Sequence, residues 1–203
     1  MTDAGTDNLV AALRPLDDPP SLPGWNHDEL ADLLESPLRT PAAVLVPIVH
    51  RGDARSVLFT RRTDDMRTHA GQVSFPGGRI EAADGGPIAA ALRETEEETG
   101  IARALVRPLG FLDCFETISG FGVTPVVADV DGGYRLSPDP REVAEVFEVP
   151  LEFLLDAANV HRARIDWRGR PRDVYEYSYE GRRIWGATAG MLVNLLRRME
   201  ILR

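Results

Sequence analysis

Residues 78–101 read GRIEAADGGPIAAALRETEEETGI, and the spacing of the acids at the end of this stretch decides how the chain is read. Glu94, Glu97 and Glu98 stand at i, i+3 and i+4, so a helix gathers all three on one face. Like charges so placed repel one another unless a cation neutralises them. An all-carboxylate cluster therefore asks for a hard divalent ion with oxygen ligands, Mg²⁺ or Mn²⁺, and an ion held there can grip a phosphate chain. The helix is credible from its ends. Pro87 suits a first turn, where its missing N–H is no loss, and Gly100 suits the left-handed residue that closes a helix. Ile88, Ala91, Leu92 and Thr95 make a mostly apolar stripe for packing. Upstream, the apolar alternation through Val73 and Phe75 predicts a strand that runs into a tight loop, Phe75-Pro76-Gly77-Gly78, where backbone can approach a ligand closely.

This order of strand, glycine turn, loop and acidic helix resembles the Nudix box, G-x5-E-x7-R-E-U-x-E-E-x-G-U, of the Nudix hydrolases. Arg93, Glu94, Glu97, Glu98, Gly100 and Ile101 all match. Thr95 stands where the pattern has an aliphatic residue, and counting from Gly78 the acid position falls on Asp84, with eight residues before Arg93 instead of seven. The longer loop resembles the coenzyme A pyrophosphatase branch of the family. So does the upstream run Leu58-Phe59-Thr60-Arg61-Arg62-Thr63, followed by Arg67, Gly71 and Phe75-Pro76-Gly77-Gly78, which is similar to that branch's L-L-T-x-R-S/A-x3-R-x3-G-x3-F-P-G-G. Phe59 and Thr63 depart from it modestly. Residues 119–127, 142–151 and 184–189 are also similar to segments of the branch, so the resemblance covers roughly residues 40 to 200.

Site assignments follow from the residues and the resemblance together. Glu94, Glu97 and Glu98 are the expected metal ligands; the resemblance adds the carbonyl of Gly78. Arg93 is expected to hold the carboxylates through charge-assisted hydrogen bonds, which its planar fork does better than Lys. Arg61, Arg62 and Arg67, with Gly77, are expected to bind the anionic substrate. Nudix enzymes take the proton of the attacking water on a box glutamate or on an acid from a later loop. The outside candidates here are Glu142, Glu145 and Glu116, with Glu145 entered among the catalytic residues. The bland reading of each is an exposed acid on a helix. Trp185 and Tyr177 are candidates for stacking on adenine, with core packing as the competing reading, and His69 for a structural or phosphate-contacting role. The implied reaction is metal-dependent hydrolysis of a diphosphate, in coenzyme A or acyl-CoA, giving 3',5'-ADP and 4'-phosphopantetheine. ADP-ribose, a dinucleotide or a nucleoside triphosphate is the alternative substrate, and a non-catalytic nucleotide-binding module the remote one.

The whole-chain properties set bounds. With 203 residues, 43% of them hydrophobic, the chain can bury one sizeable core. We expect an N-terminal extension over 1–39 and a Nudix domain over 40–203. A net charge of -9 argues against duplex nucleic acid or an anionic membrane as main partner. Cys114 is alone, which excludes a disulfide framework and favours a reducing compartment. No apolar run is long enough to span a bilayer and no leader is evident, so the expected location is the cytoplasm. Dimers are common in the family, which brings a homodimer into consideration, with the N-terminal residues as an interface or a lid. Pattern reading places helices near Leu9–Leu13, over Asp28–Glu35, from Pro87 to Gly100 and over Thr188–Met199. Strands are expected over Ala42–Val49, Ser56–Arg61, Val106–Phe115, Val123–Val130, around Val149–Leu151, and over Arg162–Trp167 and Val174–Tyr179. The mixture reads as α/β or α+β, and the resemblance implies an α/β/α sandwich with a mixed central sheet.

Overall fold

The computed structural model describes residues 4–34, 38–65, 70–167 and 169–202. Its centre is strand β1 (Thr40–Arg51), whose run Ala42 to Val49 is apolar on both faces. A strand covered on both sides needs no alternation, and β1 is such a strand. It pairs antiparallel with β2 (Ala54–Arg62) and parallel with β7 (Phe121–Asp131) from Thr40↔Phe121 to His50↔Asp131. Around these three, β3 (Val73–Ser74) and β8 (Val143–Pro150) pair with β2, β4 (Gly77–Arg79) with β1, and β5 (Val106–Phe111) and β6 (Phe115–Glu116) with β7. The result is an eight-stranded mixed sheet.

One helix covers each face. Ala90 and Ala91 of α3 (Pro87–Thr99) pack with Leu45, Val49, Leu58 and Val126. Leu192 and Leu195 of α5 (Ala187–Arg198) pack with Val46, Phe59, Val127 and Phe147 on the other side. Leu58 and Phe59, neighbours on β2, go to opposite layers as strand geometry requires. This is the expected three-layer sandwich. A second antiparallel sheet, β9 (His161–Trp167), β10 (Arg170–Tyr179) and β11 (Arg182–Trp185), adds Tyr177 and Ile184 to the α5 layer. The short helix α4 (Leu151–Leu155) links the two sheets.

The N-terminal residues pack on this body. Leu9 of helix α1 (Ala4–Ala11) and Leu13 just after it enter the α5 core, and Arg14 exchanges two backbone hydrogen bonds of 2.9 Å with Phe111. Several expected bounds shift. The helix expected over Asp28–Glu35 is α2 (His27–Leu30), a single turn; Glu35 lies outside the described residues. The strand expected over Val106–Phe115 is split into β5 and β6, where Asp113 turns out to accept two hydrogen bonds from Arg198, at 2.9 and 3.1 Å. The strand around Val149–Leu151 ends at Pro150, and Leu151 begins α4. The expected loop Phe75–Gly78 is in part strand, since Gly77 and Gly78 pair with Val44 and Ala43.

Candidate active site

Helix α3 starts and stops where its sequence says. Pro87 stands in the first turn, and Gly100, at φ 78°, closes the helix by donating its N–H to the Glu96 carbonyl. A side chain at Gly100 would also collide with Ser137, so the position serves a second purpose: the loop after β7 closes over the helix end. Ser137 donates its backbone N–H to Thr99 at 2.8 Å and Asp139 to Glu98 at 3.2 Å. Thr95 is fully buried, and its hydroxyl donates to the Ala91 carbonyl at 2.7 Å. With its polar atom satisfied inside the helix, threonine fits a position where the box carries an aliphatic residue.

Two glycines bring α3 against β4. A Cβ on Gly77 would sit 2.4 Å from the Ala43 carbonyl oxygen, and one on Gly78 would sit 2.4 Å from Glu94 Oε1. The carboxylate of Glu94 is therefore seated on bare backbone. Arg93 lies beneath the acids as a fork. Its Nε and Nη2 both donate to Asp84 at 2.9 Å, Nη1 donates to Glu94 and Glu97 at 3.0 Å, and Nη2 also reaches the Arg79 carbonyl at 3.2 Å. The Arg93 guanidinium, helped by the Glu81 N–H, holds the Asp84 carboxyl down at about 2. Asp84, noted in the sequence as a displaced box acid, is the anchor of the arginine that orients the others.

The three glutamates differ in environment. Glu97 is largely exposed and turned onto Arg93. Glu94 is half-buried, and its pKa is raised chiefly by burial, with Arg93 opposing. Glu98 is only 5% exposed, and its Oε2 has no hydrogen-bond partner among the described residues. Burial pushes its pKa up to about 8 against the pull of Arg62, and the charges of Glu94 and Glu142 add to the rise. With Glu97 drawn to Arg93, no three acidic, histidine or cysteine side chains among the described residues converge at metal-holding spacing. The donor set nonetheless suits a hard divalent cation. It consists of carboxylate and carbonyl oxygens, and the orphaned Glu98 Oε2 is a buried acceptor that a cation would satisfy.

The other expected residues divide between the two sheet faces. Arg62 acts on Glu98 electrostatically, on the α3 side, and its Nε is buried with no hydrogen-bond partner among the described residues. Arg61 faces the α5 side, 3.5 Å from Glu145. Arg67 and His69 lie outside the described residues. Of the acids considered as proton acceptor, Glu142 is exposed just before β8 and its charge is felt by both Glu94 and Glu98. Glu145 is elsewhere. It sits within β8, salt-bridged to Arg61 and to Arg182, whose Nη2 is 2.7 Å away. Glu116 is not an exposed acid either, being 3% exposed and tied to His27 at 2.5 Å and to Arg39 at 3.2 Å. Tyr177 is wholly buried, which makes it a core residue, whereas Trp185 borders a cleft.

The site thus consists of an arginine-anchored acidic helix laid on a glycine strand, with a buried carboxylate whose Oε2 is left unsatisfied among the described residues. The comparisons agree. Residues 39–168 match the NUDIX domain, and the chain belongs to the Nudix hydrolase family. It is 41% identical over 160 residues to the uncharacterized Nudix hydrolase NudL of Photorhabdus laumondii, covering 79% of this chain and 85% of that protein. It is 40% identical over 157 residues to NudL of an Enterobacter species, covering 77% and 81%. A MutT/nudix family protein from Enterococcus faecalis shares the fold, with a TM-score of 0.51 at 15% identity over 99% of this chain and 76% of that one. The protein is thus a hydrolase of the Nudix class, whose members act on nucleoside diphosphate-linked compounds and generally use divalent metal ions. No described helix is long and apolar enough to cross a membrane.

Proposed function

We propose that the protein hydrolyses the diphosphate of coenzyme A or an acyl-CoA, with Mg²⁺ or Mn²⁺, releasing 3',5'-ADP and 4'-phosphopantetheine. The observation that carries the hydrolytic reading is the Glu98 carboxylate, buried beside Glu94 with one oxygen unsatisfied. Coenzyme A as substrate is supported by the lengthened loop ending in the Asp84–Arg93 fork and by the run from Leu58 to Gly78. Glu98, Glu94 and Glu97 would hold the ion, with the carbonyl of Gly78. When bound, such an ion lowers the pKa of a water molecule and draws charge from the diphosphate oxygens.

The remaining work falls to side chains. Arg93 keeps Glu94 and Glu97 in place and is itself kept by Asp84, so it orients the acids without touching the reacting atoms. Arg62 offers positive charge on the α3 side, where the substrate phosphates would lie. Glu142, exposed beside the glutamates, is the acid we assign to accept the proton of the attacking water, in place of Glu145.

The reading is tested by incubating purified protein and Mg²⁺ or Mn²⁺ with coenzyme A, ADP-ribose, a dinucleoside polyphosphate and a nucleoside triphosphate, and resolving the products by chromatography. Release of 3',5'-ADP from coenzyme A, faster than turnover of the others, is expected. Preferred turnover of another compound would reassign the substrate, and nucleotide binding without turnover would make the protein a sensor.

A further inference from the structure

Glu98 and Glu142 belong to different parts of the chain, and a general base works only where its carboxylate is held against the water it deprotonates. Residues 132–142 join β7 to β8, and Glu142 is the last of them. The end of this loop reads Ser137-Pro138-Asp139-Pro140-Arg141-Glu142. Its two prolines fix their own φ and keep the residue before each out of the helical region, so the loop has little freedom to begin with.

Hydrogen bonds hold it on two sides. Toward α3, Ser137 and Asp139 donate their N–H groups to the carbonyls of Thr99 and Glu98, at 2.8 and 3.2 Å. These are carbonyls of the last helical turn, which have no partner inside the helix. Toward β2, the Glu142 carbonyl accepts the Thr63 N–H at 3.0 Å and the Arg141 carbonyl accepts the Thr63 hydroxyl at 3.3 Å.

Asp139 joins the two sides. Besides its bond to Glu98, its own carbonyl accepts the N–H groups of Glu142 at 3.1 Å and of Val143 at 2.8 Å. Its side chain closes the turn between them, Oδ1 accepting the Arg141 N–H at 2.9 Å. The carboxylate also meets the Arg141 guanidinium, with Nη2 2.5 Å from Oδ2. That guanidinium belongs to a side chain 86% exposed, where an ion pair contributes little, so the bond to the backbone N–H is the one that shapes the turn. A single residue is thus bonded to the backbone of the proposed metal ligand Glu98 and to that of Glu142.

We infer that Asp139 is a positioning residue for the hydrolysis, its side chain setting the turn that holds Glu142 toward the glutamates of α3. It touches no reacting atom and acts through Glu142 alone, so the inference rests on Glu142 as the proton acceptor.

The test is a double-mutant cycle on kcat and KM with Mg²⁺, using whichever compound of the set above the wild type turns over fastest, so that the outcome does not depend on coenzyme A. Asp139→Ala should lower kcat about tenfold to a hundredfold, the scale on which a displaced catalytic group is felt, and leave KM within about twofold. Asp139→Asn keeps an oxygen for the Arg141 N–H and should recover most of the loss. In a Glu142→Gln background, which has no base to place, Asp139→Ala should cost nothing further. The inference is overturned if Asp139→Ala is as fast as the wild type, if Asp139→Asn is as slow as Asp139→Ala, or if the loss is the same with and without Glu142. A Glu142→Gln enzyme as fast as the wild type would remove the proton acceptor itself, and the inference with it. Should Asp139→Ala not fold by circular dichroism, Asp139→Glu takes its place in the cycle with the same expectation, since it keeps the charge but moves the acceptor by one methylene.

Discussion

Glu98→Gln, in the absence of metal, should make the protein more stable at high pH and flatten the pH dependence of its stability. The ordinary glutamate value is 4.5 and burial raises Glu98 to about 8. Between those values the native state holds a proton that the unfolded chain has released. Stability therefore falls as pH rises, by about 1.4 kcal/mol per pH unit for one such proton. The contribution of the neutral carboxyl is complete below about pH 4.5 and is lost by the time pH passes about 8. Across the window the loss is on the order of 3–5 kcal/mol, a large share of a typical domain's stability. Urea denaturation in EDTA at pH 5, 6, 7 and 8 measures it. The wild-type midpoint should drop steadily relative to that of Glu98→Gln, and saturating Mg²⁺ should restore it near pH 8. Parallel wild-type and variant curves from pH 5 to 8 would refute the assignment of Glu98 as a buried, unsatisfied acid.

Other outcomes follow from the same geometry. Mg²⁺ uptake near pH 6.5 should release close to one proton per ion, seen by calorimetry in buffers of different ionisation enthalpy; no release would mean that Glu98 is not displaced from its protonated form. The two glycines of β4 should behave differently when changed to Ala. Gly77→Ala drives a Cβ into the Ala43 and Val44 backbone and should cost about 2 kcal/mol or more, whereas Gly78→Ala meets only the movable end of Glu94 and should lower turnover with little change in Tm. Asp84 has its pKa lowered to about 2, so its contribution is present in full above its ordinary 3.8 and is lost as pH falls through about 2. Asp84→Asn should accordingly lower the denaturation midpoint at pH 7, with the gap to wild type closing on acidification; a constant gap would contradict the Arg93 pairing. Glu142→Gln should reduce kcat by roughly 10²- to 10⁴-fold, the usual contribution of a general base, and Glu145→Gln by far less. The reverse ranking would return the catalytic role to Glu145.

Much of the fold was legible because its signals are local. Pro87 and Gly100 bracket α3, and the apolar run of β1 marks a strand covered on both faces. The glycine strand β4 was missed because residues without side chains carry no alternation to read; its pairing is set by contact with β1. Strand β11 is four residues long and half of it is arginine, so only its place in the second sheet defines it. Glu142 and Glu145 look alike in the sequence and are told apart only by their surroundings: Glu145 lies in β8 and pairs with Arg61 and Arg182, while Glu142 lies just before the strand and acts on Glu94 and Glu98. Arg61 and Arg62, read together as one basic cluster, likewise part where the pairing of β2 with β8 is irregular, Arg61 toward Glu145 and Arg62 toward Glu98. The anchoring of Arg93 by Asp84 had a signal in the chain, the acid at the displaced box position, but its partner emerged only with the loop's conformation.

The most direct test of the account is the initial rate of 3',5'-ADP release from coenzyme A as Mg²⁺ is titrated, for the wild type and for Glu98→Gln verified as folded. The account predicts a wild-type rate that is negligible in EDTA and saturates with Mg²⁺, and a variant slower by roughly 10²-fold or more, the scale on which a lost electrostatic stabiliser is felt. A rate independent of the metal, or a variant as fast as the wild type, would contradict it.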